Sequence, residues 1–122
     1  MSKYHARKVT INGITYDSRK EYRRHTELLL LERAGAISDL RHQVEYELIP
    51  AQYETVERYG KNGQRLKDKQ RCVEKAVKYV ADFVYMEDGK LVVEDSKGVR
   101  TKDYIIKRKL MLYTHGISIK ET

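Results

Sequence analysis

A chain of 122 residues with a single cysteine has room for one domain with one modest core, and it can build neither an intrachain disulfide nor a thiolate zinc cluster. With 40% hydrophobic and 35% charged residues it is too apolar to stay disordered, and a net charge of +7 favours a polyanionic partner, nucleic acid first. The start, MSKYHARKV, has no apolar h-region and the longest purely apolar run is Leu28 to Leu31, so secretion and membrane spanning are not expected and a reducing cytoplasm is.

After a short basic arm, VTINGITYD reads as strand-like with an Asn12-Gly13 turn. From Ser18 a helical pattern runs to about Ala34, and Gly35 reads as its C-cap. His42 to Ile49 alternates, with Val44, Tyr46 and Leu48 on one face and Gln43, Glu45 and Glu47 on the other, until Pro50 ends the strand. Residues 54–71 form a polar excursion with a Gly-Lys-Asn-Gly turn, either mobile or an extended hairpin. Val73 to Met86 is apolar on both faces, as a central strand must be, and Asp88-Gly89 turns it into a strand over Leu91 to Lys97. Thr101 can cap a helix to about His115, Gly116 ends it, and Ile117 to Ile119 reads as a last short strand. The order is helix, three strands, helix, strand.

A two-residue turn at Asp88-Gly89 pairs Glu87 with Lys90, and counting back sets Asp82 opposite Asp95 with Cβ atoms about 5 Å apart. Lys97, two residues along from Asp95, joins the same face, among Val80, Val84, Leu91 and Val93. Opposed carboxylates on an apolar surface call for a cation between them, and hard oxygen ligands suit Mg²⁺, with Mn²⁺ able to substitute. A solvated Asp-Lys salt bridge is the plainer alternative. Glu94 lies on the opposite face and is expected to pair with a basic neighbour.

YVADFVY followed by VVEDSKG resembles the two central motifs of the PD-(D/E)XK nucleases, with Ala81 where a proline is usual and Asp95-Ser96-Lys97 as the acid-x-lysine. YDSRKEYRR before a leucine-rich helix and IKRKLMLYTHGI near the end resemble small phage-encoded Holliday-junction-resolvase-like endonucleases, so the likeness covers nearly all of 1–122 except the polar excursion. The resemblance implies an α/β, restriction-endonuclease-like core: a mixed central sheet flanked by helices. It also implies a site of Glu21, Asp82, Asp95 and Lys97, with the Ser96 carbonyl facing the metal, and branched DNA cut by a homodimer in a host cytoplasm. Glu21 has a second reading, because Ser18-x-x-Glu21 is a capping box.

Arg19, Lys20, Arg23 and Arg24 on the first helix and Lys102, Lys107 and Lys109 on the last are the expected phosphate contacts, positioning a strand without reading its sequence. Four scattered histidines show no zinc-hydrolase spacing. Two other readings stay open: a non-catalytic nucleic-acid-binding module, and a less selective nicking nuclease serving phage DNA packaging.

Overall fold

The Asn12-Gly13 step, with φ of 52° and 79°, joins β1 (Val9–Ile11) to β2 (Ile14–Tyr16) in a tight antiparallel hairpin. The structure, a computed structural model, describes residues 7–97 and 99–122; the first part of the N-terminal arm, through residue 6, lies outside the described residues. Ser18 then starts α1 (Arg19–Arg33), its Oγ accepting from the Glu21 N–H at 3.1 Å. At the far end Ala34 is the C-cap, and Gly35 lies one residue beyond the position expected for it, at a φ of 80° that lets Ala36 N–H reach back to the Leu31 carbonyl.

The main sheet runs β3 (Ser38–Ile49), β6 (Val77–Glu87), β7 (Lys90–Asp95), β8 (Lys120–Glu121) in that spatial order. The first three are antiparallel neighbours, whereas β8 joins β7 in parallel after α2 (Lys102–His115). The described residues are therefore α/β, with a mixed sheet and two helices. Leu28 of α1 packs with Ile37, Phe83 and Tyr85, while Tyr104 and Met111 of α2 pack with Leu48, Tyr79, Ala81, Val84 and Val93, so the helices cover opposite faces. Burying each such side chain stabilises by roughly 1.5–3 kcal/mol. None of the described helices is long and apolar enough to cross a membrane.

Several boundaries differ from the sequence reading: β3 begins at Ser38 rather than His42, and β7 ends at Asp95 rather than Lys97. The apolar stretch from Val73 is split, with Val73 ending β5 (Arg65–Glu74) and Val77 opening β6. The last strand falls on Lys120 and Glu121, and Ile117 and Ile119 serve the core instead. The polar excursion is an extended hairpin, β4 (Gln52–Tyr59) against β5, closed by a turn in which Gly60 N–H donates to the Gln64 carbonyl. It forms a sheet of its own, and nearly all of its residues are exposed.

One irregularity sets the site. Tyr79 and Ala81 face α2, yet Phe83 and Tyr85 face α1, so β6 changes sides at Asp82. In β3 the same happens between Leu40, facing α1, and Val44, facing α2. Gln43 lies between them with φ at 58°, in the left-handed region, across from Asp82 and bracketed by the pairs His42↔Phe83 and Val44↔Ala81. A left-handed residue turns the chain over without breaking the pairing, which carries Asp82 toward the start of α1. This corrects the expected face: Val80 and Leu91 are exposed, and the apolar walls near the acids are Tyr79, Ala81, Val84 and Val93.

Candidate metal centre

The hairpin register is as counted, Glu87↔Lys90 back to Phe83↔Glu94, and Asp82 and Asp95 follow as the next positions along the two strands. There the ladder gives way to a side-chain link: Asp82 Oδ2 accepts from the Ser96 N–H at 2.8 Å. At Ser96 it is this N–H, rather than the carbonyl, that the fold ties to an acid. The Ser96 hydroxyl lies 3.2 Å from that of Thr122.

Asp95 is fully buried. Its Oδ2 accepts from the Tyr79 hydroxyl at 2.5 Å, while Oδ1 has no hydrogen-bond partner among the described residues and faces Lys97 Nζ at 3.7 Å. Burial first, then the charge of Asp82, push the Asp95 carboxyl up to about 6, against the opposing effects of Tyr79 and Lys97. Burial and the neighbouring Glu21 carboxyl push Asp82 further, to about 7, although the Ser96 N–H and Lys97 favour its charged form. Lys97 is about one-third exposed, with its ammonium 5.1 Å from the centre of the Tyr104 ring.

Glu21 bonds the backbone just before the helix start and also lies in an acid cluster. It is buried under β3; Oε1 accepts from the Asp17 N–H at 2.8 Å, one residue short of the partner a capping box uses, and Oε2 accepts from Gln43 Nε2 at 2.7 Å. At the same time a carboxylate oxygen of Glu21, one of Asp82 and one of Asp17 all lie within 4.8 Å of one another. The structure thus brings Glu21, Asp82, Asp95 and Lys97 into one locality and adds Asp17, Gln43 and Tyr79, which sequence reasoning passed over. Asp17 stood just before a cap and Gln43 on an apparently solvated face; the place of Gln43 opposite Asp82 follows from the β3–β6 register, which only the fold supplies.

An open cleft of about 280 Å³ reaches this cluster, lined by Asp17, Gln43, Asp82, Lys97, Thr101 and Lys107 among others. The residues fit a hard divalent cation. Three carboxylates converge, burial and neighbouring carboxyls shift two of the site's acids toward the neutral form, and one buried carboxylate oxygen lacks a donor among the described residues.

The expected phosphate contacts divide. Lys107 lines the cleft, and Lys20 reaches the Lys97 carbonyl at 3.5 Å. Arg19 and Arg23 border a different groove beside Val9, Ile11 and Tyr22, and Lys109 borders another with Arg108 and Leu112. Lys102 is exposed in the first turn of α2. Arg24 departs from its expected role: its Nε and Nη2 grip both oxygens of fully buried Glu94 at 2.7 and 2.9 Å, and Nη1 takes Glu27. Tyr85 donates to Glu94 as well, at 2.7 Å, and these hydrogen bonds hold the Glu94 carboxyl below its ordinary value although burial alone raises it. Glu94 does pair with a basic neighbour, and that pairing engages Arg24 inside the fold.

The fold and this cleft define an α/β domain whose mixed sheet carries a buried acid cluster between a helix start and two strand ends. Within that class, the chain belongs to the family described as Protein of unknown function (DUF1064), whose model matches residues 1–120. Neither a curated protein nor a solved structure matches it.

Proposed function

We propose that this protein is a Mg²⁺-dependent DNA endonuclease of the PD-(D/E)XK type with a restriction-endonuclease-like core. The observation that supports it best is Asp95: a fully buried carboxylate beside Asp82, with one oxygen unpartnered among the described residues and a lysine two residues on. Asp82, Asp95 and Glu21 would hold Mg²⁺ or Mn²⁺, which when bound supplies polarisation of a phosphate oxygen and a nucleophile at neutral pH. The chain's own groups do the rest. Lys97 stabilises charge developing on the phosphoryl oxygens, Tyr79 fixes the Asp95 rotamer, and Lys107 with Lys20 draws the phosphate backbone across the cleft.

DNA as the partner is further supported by the β4–β5 arm. Its Arg65 and Arg71 are paired with Asp68 and Glu54, whereas Arg58, Lys61, Lys67 and Lys69 have no ion pair among the described residues. A branched phage DNA cut symmetrically by a homodimer is the substrate the sequence resemblance favours. The test is a side-by-side assay on four-way junction, flap, single-stranded and linear duplex DNA with Mg²⁺. Cleavage by the wild type and its loss in Asp82→Asn and Asp95→Asn is the expected result; full activity in either variant ends the assignment. The basic arm also suits a second reading, a nucleic-acid-binding module that cuts nothing, and calorimetry separates the two: metal-insensitive DNA binding, with no saturable Mn²⁺ uptake, favours the module.

A further inference from the structure

We infer that Gln43 is a positioning residue of this site, a neutral amide that fixes the Glu21 carboxylate for a cation without neutralising it; the inference rests on the metal-site reading above. Gln43 is a residue with a Cβ held at φ 58°, a conformation that glycine and asparagine accept far more readily than glutamine. Such an outlier persists only where its surroundings enforce it. Here the preceding residue supplies the constraint: the His42 ring packs in a cluster with His25, at 4.9 Å and 17°, Phe83, at 5.3 Å and 26°, and Tyr16, at 5.1 Å. With His42 pinned in the α1 layer, the chain turns over at the next residue.

Packing does not account for a glutamine there, since Gln43 is exposed and belongs to neither core cluster. What the turned backbone achieves is a 2.7 Å hydrogen bond from Gln43 Nε2 to Glu21 Oε2, while Asp17 N–H holds Oε1 at 2.8 Å. With both oxygens held by neutral donors, the carboxylate is fixed in orientation beside Asp82 without a cationic partner. A lysine or arginine in the same place would hold Glu21 equally well and compete with the cation for it. The other groups facing Glu21 are His42, whose Nε2 is 3.5 Å from Oε2, and the carboxylates of Asp82 and Asp17.

The experiment compares wild type, Gln43→Gly and Gln43→Asn by Mn²⁺ calorimetry, by thermal melting without metal, and by steady-state cleavage. Both variants accept the left-handed backbone and neither reaches Glu21. Mn²⁺ affinity and kcat are expected to fall about 10–100-fold in both, with KM for DNA unchanged. In Gln43→Gly relief of the strained backbone opposes loss of the hydrogen bond to buried Glu21, so its melting temperature stays near that of the wild type. A Gln43→Gly protein that melts lower while binding Mn²⁺ normally overturns the inference in favour of a structural role, and unchanged affinity and rate in both variants overturns it outright. A wild type that takes up no Mn²⁺ counts against the metal reading instead. The hydrogen bond from Gln43 to Glu21 is then decided by the side-chain amide signal in ¹H–¹⁵N spectra of metal-free protein: displacement on Glu21→Gln upholds it, and an unmoved signal overturns it.

Discussion

The Tyr79 hydroxyl donates to Asp95 Oδ2 at 2.5 Å and leaves Oδ1 of the same carboxylate facing Lys97 across 3.7 Å. Among the described residues Asp95 therefore has one neutral donor and one distant cation, and its side chain is fully buried. In Tyr79→Phe the carboxylate loses its only hydrogen bond among the described residues, and metal-free stability should fall by about 1–3 kcal/mol. Asp95→Asn removes the buried charge and should raise metal-free stability at pH 8 while abolishing Mn²⁺ binding. Melting curves with and without Mn²⁺ check both; a stability loss in Asp95→Asn at that pH would contradict the electrostatic account.

The same frustration sets a pH dependence. Asp82 and Asp95 titrate in the folded protein near 7 and near 6, against an ordinary value of 3.8, so the native state binds more protons than the unfolded chain through this range. Their contribution to stability is complete below about pH 4 and is lost as pH rises through 6 and 7, on the order of a few kcal/mol in all. His25 and His42, lowered mainly by burial, act in the opposite sense and cost stability as pH falls through their ordinary value of 6.5. The acid contribution is isolated by subtracting the melting profile of Asp82→Asn from that of the wild type in metal-free buffer. The difference should grow between pH 5 and 8, and Mg²⁺ should close it at pH 8.

Arg24 offers a test of its reassignment from DNA binding to structural partner. Removing it strands Glu94, which is fully buried and otherwise bonded to Tyr85 and, more weakly, to Thr122. Arg24→Ala should destabilise the fold by about 3–5 kcal/mol, and the double variant Arg24→Met with Glu94→Gln by much less. Denaturant titration measures both. A stable Arg24→Ala protein with weakened DNA affinity would restore the role read from sequence.

For the arm, replacing Lys61, Lys67 and Lys69 by alanine should leave the melting temperature nearly unchanged, since these side chains are exposed on a hairpin outside the main sheet. DNA affinity should weaken uniformly across sequences, and the slope of log affinity against log salt should drop by about 0.9 for each phosphate that the variant no longer neutralises. Fluorescence anisotropy over a salt series reads both; an unchanged slope would exclude the arm from the DNA interface.

How far the sequence went is clearest at the Asp88-Gly89 turn. There φ values of 51° and 75° fix the register of β6 on β7, a local rule that holds whatever surrounds it. The caps at Ser18 and Thr101 and the alternation of Val44, Tyr46 and Leu48 were legible for the same reason: each depends on neighbours a few residues away or on simple periodicity. That Glu94 would take a basic partner was legible from its charge, but that the partner is Arg24, 70 residues away, was not. Gln43 and Asp17 were not legible, because strict alternation puts Gln43 on a solvated face and nothing local announces a left-handed residue in mid-strand. That turn exists because His42 is wedged among rings from β2, α1 and β6, an arrangement made only when three distant segments pack. Local chemistry thus determined which strands and acids this chain has; the side of the sheet on which Asp82 meets Glu21 was decided by packing between elements far apart in the chain.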